Sequence, residues 1–132
     1  MSLKYLGSPY LLRISPKDLG VIYGAIRRAY SQSAHARKIR SEARVKATGP
    51  RGGKRFKCAA CGAVKGAGSI NVDHIDPVVP VGQHHSTLSW DQLIARLWCK
   101  EENLQVLCTD CHKKKSKEEA ALRKKARANR TK

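Results

Sequence analysis

The stretch Ser69-Ile70-Asn71-Val72-Asp73-His74-Ile75-Asp76-Pro77 decides how the rest of the chain is read. Ile70 and Val72 favour extended backbone, so the run predicts a strand, and Pro77 ends it because proline cannot donate to a ladder. At that end a carboxylate stands beside an imidazole. Asp73 is a hard oxygen ligand for a divalent cation, and His74 is the side chain best suited to accept a proton near neutral pH. Successive strand residues face opposite sides, so both can serve one site only where the strand stops or bends. Pro77 and the loop expected over residues 78–88 supply that ending.

Two Cys-x-x-Cys pairs lie on either side: Cys58-Ala59-Ala60-Cys61, and Cys108-Thr109-Asp110-Cys111. Brought together, four thiolates fill the tetrahedral shell of Zn²⁺ and leave no open position, which marks a structural rather than a catalytic ion. Such an ion pins the first strand, at Arg55-Phe56-Lys57, to the start of the last helix, a join that a small core makes poorly alone. A redox dithiol is the alternative for such pairs. Cys99, next to Trp98, is left over and reads as a buried thiol. Cys108 to His112 also matches the Cys-x-x-Cys-His pattern of haem attachment. That reading is set aside, because no export signal is read, Met1 is the sole methionine, and Cys58 and Cys61 would go unexplained.

The charge is uneven. Of the net +17, residues 1–57 carry +12, residues 58–107 carry −2 and residues 108–132 carry +7. A weakly acidic centre between basic flanks suits a polyphosphate partner, bound with an affinity that falls as salt rises. Charge alone is equally compatible with a solvated basic tail or a ribosome-like extension. Apolar runs are too short for a signal peptide or a membrane span, so a cytoplasmic protein with reduced thiols is expected, and no membrane partner.

In chain order, Tyr5, Tyr10, Leu11, Leu12 and Ile14 have no clear period and are candidates for packing on the domain. Ser15-Pro16-Lys17-Asp18 opens a helix, with Ser15 as N-cap, Pro16 at the first helical position and Asp18 near the positive end of the dipole. One long helix is expected from there to Ala47, with a break near Ser31–Ser33, and its stripe of Leu19, Ile22, Ile26 and Ala29 reads as packing. His35, Arg37, Lys38, Arg40, Arg44 and Lys46 make its second half basic, able to follow a phosphate backbone or simply to be solvated. Gly49-Pro50 stops it, and Arg51-Gly52-Gly53-Lys54 reads as a flexible basic linker. Gly62–Gly68 is expected to join two short antiparallel strands, the second of them ending at His74. Ser89-Trp90-Asp91-Gln92 is a capping box opening a short helix through Trp98. A further helix is expected over Thr109–Ala128, with Lys115/Glu119 and Glu119/Arg123 at supporting spacing.

Taken together, Asp73-His74 with Ile75 and Pro77, Asn103 in Asn103-Leu104-Gln105-Val106-Leu107-Cys108, and His112 in Cys-x-x-Cys-His-Lys-x-Lys resemble the HNH endonuclease family, in its four-cysteine zinc branch. The resemblance covers about residues 55–118. Each piece alone is ordinary: an Asp-His pair is often a turn, Asn commonly precedes a strand, and His112 could itself ligate zinc. Their order is specific.

The resemblance implies a ββα-metal fold and a metal-dependent DNA endonuclease. It makes His74 the general base, and Asp73 and His112 the ligands of one catalytic ion. Mg²⁺ is the expected ion, with Mn²⁺ or Ni²⁺ able to substitute. Asn103 would hold the loop and orient the base. Lys113, Lys114 and Lys115 would add cationic charge near the scissile strand, with Arg37, Lys38, Arg40 and Arg44 on duplex phosphates. The partner is double-stranded DNA and the protein a monomer or a homodimer, of a phage or mobile-element kind that would work in the bacterial host cytoplasm. The rival is a non-catalytic zinc-stabilised nucleic-acid-binding module. His84-His85 reads as a surface loop, Asp76 as an outer partner of His74 or a turn cap, and His35 as part of the basic helix. The expected organisation is α+β, with a basic helical extension (1–54), the nuclease domain (55–118) and a basic end of the last helix and tail (119–132).

Overall fold

The computed structural model describes residues 14–130, so Tyr5, Tyr10, Leu11 and Leu12 lie outside the described residues. These residues form a small α+β unit of four helices and two small antiparallel sheets.

Helix α1, Pro16–Ser31, begins as its sequence dictates: the Ser15 side chain accepts the Asp18 amide at 3.1 Å, with Pro16 in the first turn. It breaks where expected. Gln32 caps α1, and the Ser33 side chain accepts the Ala36 amide to start α2, Ala34–Glu42. The helix expected to reach Ala47 instead ends at Glu42, and Arg44–Thr48 is a strand, β1. Its partner is β2, Lys54–Lys57, with Arg44 opposite Phe56 and an irregularity between Val45 and Thr48. Basic composition suggested a helix face here. Two β-branched residues and a hairpin turn decide otherwise. Arg51–Lys54 is therefore no loose linker: the Gly49 amide donates to the Gly53 carbonyl, and Gly52 turns the chain at φ +72°. The hairpin runs across residue 54, so the basic N-terminal part is tied by strand pairing to the segment that carries the first cysteine pair.

Strand β3, Val64–Gly66, completes the first sheet in the order β1-β2-β3. The glycine-rich stretch thus does not join β2 to the strand of His74. That strand, β4, Ile70–His74, pairs with β5, Leu104–Cys108, in a second sheet, from Ile70 opposite Cys108 to His74 opposite Leu104. The choice of partner follows burial: Leu104, Val106, Leu107 and Cys108 are all buried, and β5 offers the larger apolar surface.

Helix α3, Trp90–Leu97, carries the expected capping box, with Ser89 and Gln92 bonded reciprocally at 2.8 and 3.0 Å. Leu93 and Leu97 are fully buried from it, against Tyr30, Ala36, Val78, Val79 and Leu88. A second cluster, Ile39, Phe56, Ile70, Leu104 and Val106, joins α2 to both sheets. Helix α4, Thr109–Arg130, leaves β5 directly. Lys115 and Glu119 pair along it at 2.6 Å, whereas Arg123 donates to the carbonyls of Val79 and Pro80, tying the helix to the loop after β4. No helix among the described residues is long and apolar enough to cross a membrane.

Candidate active site and metal centre

The four cysteines converge. Their sulfurs all lie within 4.8 Å of one another, a cluster that could hold a metal ion. Cys58 and Cys61 sit on the turn after β2, where the Gly62 amide reaches back to the Cys58 carbonyl and Gly62 takes φ +76°, a conformation natural only to glycine. Cys108 ends β5 and Cys111 lies in the first turn of α4. The Ala59 amide donates to the Val106 carbonyl at 2.8 Å, locking the turn beside β5. Burial works against ionising Cys58. Backbone amides of Cys108, Cys61 and Ala60 and the Cys61 thiol outweigh it and bring its pKa down to about 6. Cys111 is pushed up to about 12, mainly by its hydrogen bond with Cys108. The cluster thus favours negative charge at its buried end, and the donors are those that a tetrahedral ion such as zinc takes. Cys99 is half-buried rather than buried, and its sulfur faces the Asn103 amide at 3.6 Å.

Around the end of β4 the remaining motif residues meet. His74 is the last residue of the strand and is buried. Its Nε2 lies 2.8 Å from the Leu97 carbonyl at the end of α3. A carbonyl only accepts, so Nε2 carries the proton and Nδ1 is left with the lone pair. Burial pushes the His74 pKa below the usual imidazole range, against the pull of that same bond. Tyr30 of α1 packs on the ring at 5.2 Å between centroids and meets Trp98 edge-on at 4.9 Å. His35 is not merely part of a basic face: its Nδ1 lies 3.1 Å from the Tyr30 hydroxyl, behind the same cluster.

Asp73 points to the other side, toward α4, and both residues line one cleft of about 550 Å³. The Asp73 side chain is 10% exposed. Its cross-strand neighbour Gln105 donates to Oδ2 at 2.9 Å, and His112 Nε2 lies 3.9 Å from Oδ1. Lys115 does not project outward with its neighbours Lys113 and Lys114, which are exposed. Its ammonium contacts Asp73 at 3.1 Å, the His74 carbonyl at 2.8 Å and Glu119 at 2.6 Å. Burial acts to lower the Lys115 pKa, but its bonds to Glu119 and Asp73 prevail and hold it above the ordinary lysine value.

Asn103 clamps the chain that leaves β4. Its Oδ1 accepts the Asp76 amide at 2.8 Å and its Nδ2 donates to the Asp76 carbonyl at 3.3 Å, while its own carbonyl accepts the Ile75 amide. The Asp76 side chain is directed at Arg96, 3.2 Å away. The residues expected to follow a phosphate backbone differ in how far they are free to do so. Arg37 and Lys38 are exposed on α2, with Lys38 paired to Glu101 at 2.6 Å. Arg40 donates to the Ser31 carbonyl, and Arg44 is exposed on β1.

His84 is exposed, as a surface loop predicts, and His85 half-buried, but both line the cleft, and His85 stacks on Tyr23 of α1 with centroids 4.5 Å apart. Gln105, Tyr23, Arg27 and the Leu97 carbonyl carry no motif in the sequence, and Glu119 reads there only as a helix-supporting partner of Lys115 and Arg123. Only the cross-strand position of Gln105 would have been foreseeable, had the β4–β5 register been known. Comparison with protein-family models, with curated proteins and with solved structures gave no match.

Proposed function

We propose that this chain is a metal-dependent DNA endonuclease of the HNH type, with His74 as general base and a structural zinc on Cys58, Cys61, Cys108 and Cys111. The observation that carries this reading is the meeting of four motif residues at the end of β4. His74 has a free Nδ1, Asp73 stands 3.9 Å from His112, and Asn103 clamps the backbone of Asp76. The strand pair β4–β5 followed by α4 is a ββα arrangement, and the residues sit on it in the order of the family resemblance.

The donors suit a small divalent ion. Metal–oxygen distances of about 2.0–2.1 Å let two donors roughly 4 Å apart share one ion, and the carboxylate and imidazole leave room for waters. When bound, Mg²⁺, or Mn²⁺ or Ni²⁺ in its place, supplies positive charge where the phosphate and the departing 3′-oxygen become more negative. Asp73 and His112 would hold it. The protein's own part begins at His74, whose Nδ1 takes a proton from water as the water oxygen bonds to phosphorus. The bond from phosphorus to the 3′-oxygen breaks, and that oxygen is protonated from solvent. The products carry 5′-phosphate and 3′-hydroxyl ends. The Leu97 carbonyl fixes the ring, and Asn103 fixes the chain beyond it. The amides in the first turn of α4, with Lys113 and Lys114, favour the phosphate.

The test is plasmid cleavage at low salt with Mg²⁺, comparing the native chain with His74→Ala at equal zinc content. Supercoiled DNA should be converted to open or linear forms by the native chain, at a rate at least about 100-fold higher than by the variant. Binding without cleavage by both, with Mg²⁺ and with Mn²⁺, would replace this reading with a non-catalytic nucleic-acid-binding module.

A further inference from the structure

The carboxylate read as a metal ligand already has a cation on it. The Lys115 ammonium lies 3.1 Å from Asp73 Oδ2 and 3.3 Å from Oδ1, the oxygen that also faces His112. Lys115 is three residues beyond His112 and four before Glu119, so all three side chains lie on the face of α4 turned to β4. A divalent ion held by Asp73 and His112 and an ammonium on the same carboxylate repel each other at such separations, and a partly buried site screens them poorly. One of them must give way.

We infer that Lys115 is a resident cation that competes with the divalent ion for Asp73, with Glu119 as the carboxylate to which it withdraws. The inference rests on the reading of Asp73 and His112 as ligands of that ion. Without the ion, Lys115 neutralises a carboxylate that is largely out of water and would otherwise be an unpaired buried charge. When the ion enters, the ammonium gives up Asp73 but keeps Glu119, already 2.6 Å away on the next turn of the same helix. The displacement is therefore a short swing rather than an expulsion into solvent. It leaves the ammonium on the wall of the cleft, which Glu119 lines. Lys115 is thus a positioning residue that sets the ion concentration at which the site fills, and Glu119 tunes it.

The experiment is Mn²⁺ binding to the zinc-loaded full chain without DNA, read from the electron paramagnetic resonance signal of free Mn²⁺. Lys115→Gln should bind Mn²⁺ about tenfold tighter, the size of effect that one charge removed from a partly buried site carries. Lys115→Met should do the same, and Lys115→Arg should not. Thermal melts identify any variant that has lost the fold. Glu119→Gln should weaken binding in the native background and lose that effect when residue 115 is Gln, a coupling that a purely structural role of Glu119 would not produce. If Asp73→Asn abolishes Mn²⁺ binding while both neutral variants at 115 bind no tighter than native, the competition is overturned and the metal site stands. If Asp73→Asn leaves binding unchanged, both fall.

Discussion

At His74 two effects act on the same ring. The Leu97 carbonyl accepts a hydrogen bond from Nε2–H, and burial disfavours the imidazolium, so the neutral form with a basic Nδ1 prevails near pH 7. These fix the sign of the pH dependence. The folded chain protonates His74 only below the ordinary value of 6.5, so between that value and the folded pKa the unfolded chain binds more protons. The contribution to stability is complete above 6.5 and is lost as pH falls through the folded pKa. On the proposed reading, the acid limb of the cleavage rate has its midpoint below pH 6.5. A pH–rate profile together with an NMR titration of the His74 ring checks this, and an acid limb centred above 6.5 would rule out His74 as the titrating base. Asp73, Asn103 and His112 could be picked out from residue type and order. What each one touches could not, because Gln105, Lys115 and Tyr30 reach the site through strand register and helix phase, which short motifs do not encode.

The elements show where local pattern was enough and where it failed. Ser15, Ser33 and Ser89 mark three helix starts through bonds to amides three residues on, and local chemistry of that kind is legible in sequence. The strand Arg44–Thr48 was hidden by its basic side chains, and the partner of β4 lies thirty or more residues away along the chain, beyond the reach of any periodicity. The cysteine spacing was strong enough to be read without the fold. The cluster joins the turn after β2 to the seam of β5 and α4, so the loss of an ion held there would free three elements together. Zinc binding is worth about 10–16 kcal/mol in small zinc-folded peptides, more than most domains of this size hold in total stability. One zinc per chain is expected by chelator release. Its removal, or Cys108→Ser, should abolish the cooperative thermal transition followed by circular dichroism, and an unchanged melt after removal would show the four thiols to be dispensable.

Across the molecule, the division of charge is legible in composition but its use is not. Lys38, Arg96, Lys115 and Arg123 are engaged by Glu101, Asp76, Asp73 and the loop carbonyls of Val79 and Pro80, so they contribute less to an outward basic surface than their number suggests. Enough exposed cations remain on α2, β1 and α4 for a steep salt dependence. Binding to a nonspecific duplex should weaken about 10³-fold between 50 and 200 mM salt if roughly six phosphates are neutralised. A fluorescence-anisotropy titration measures it, and a flat response would argue against phosphate contacts. The chain's path has a quieter effect. Residues 75–103 leave the end of β4 and return, and on the way back they deliver a main-chain oxygen, that of Leu97, to His74. Every amino acid carries that oxygen. The tautomer of His74 is therefore insulated from point substitution at its own determinant: changing the side chain at 97 alters packing, but only a detour of the backbone can change which ring nitrogen carries the proton.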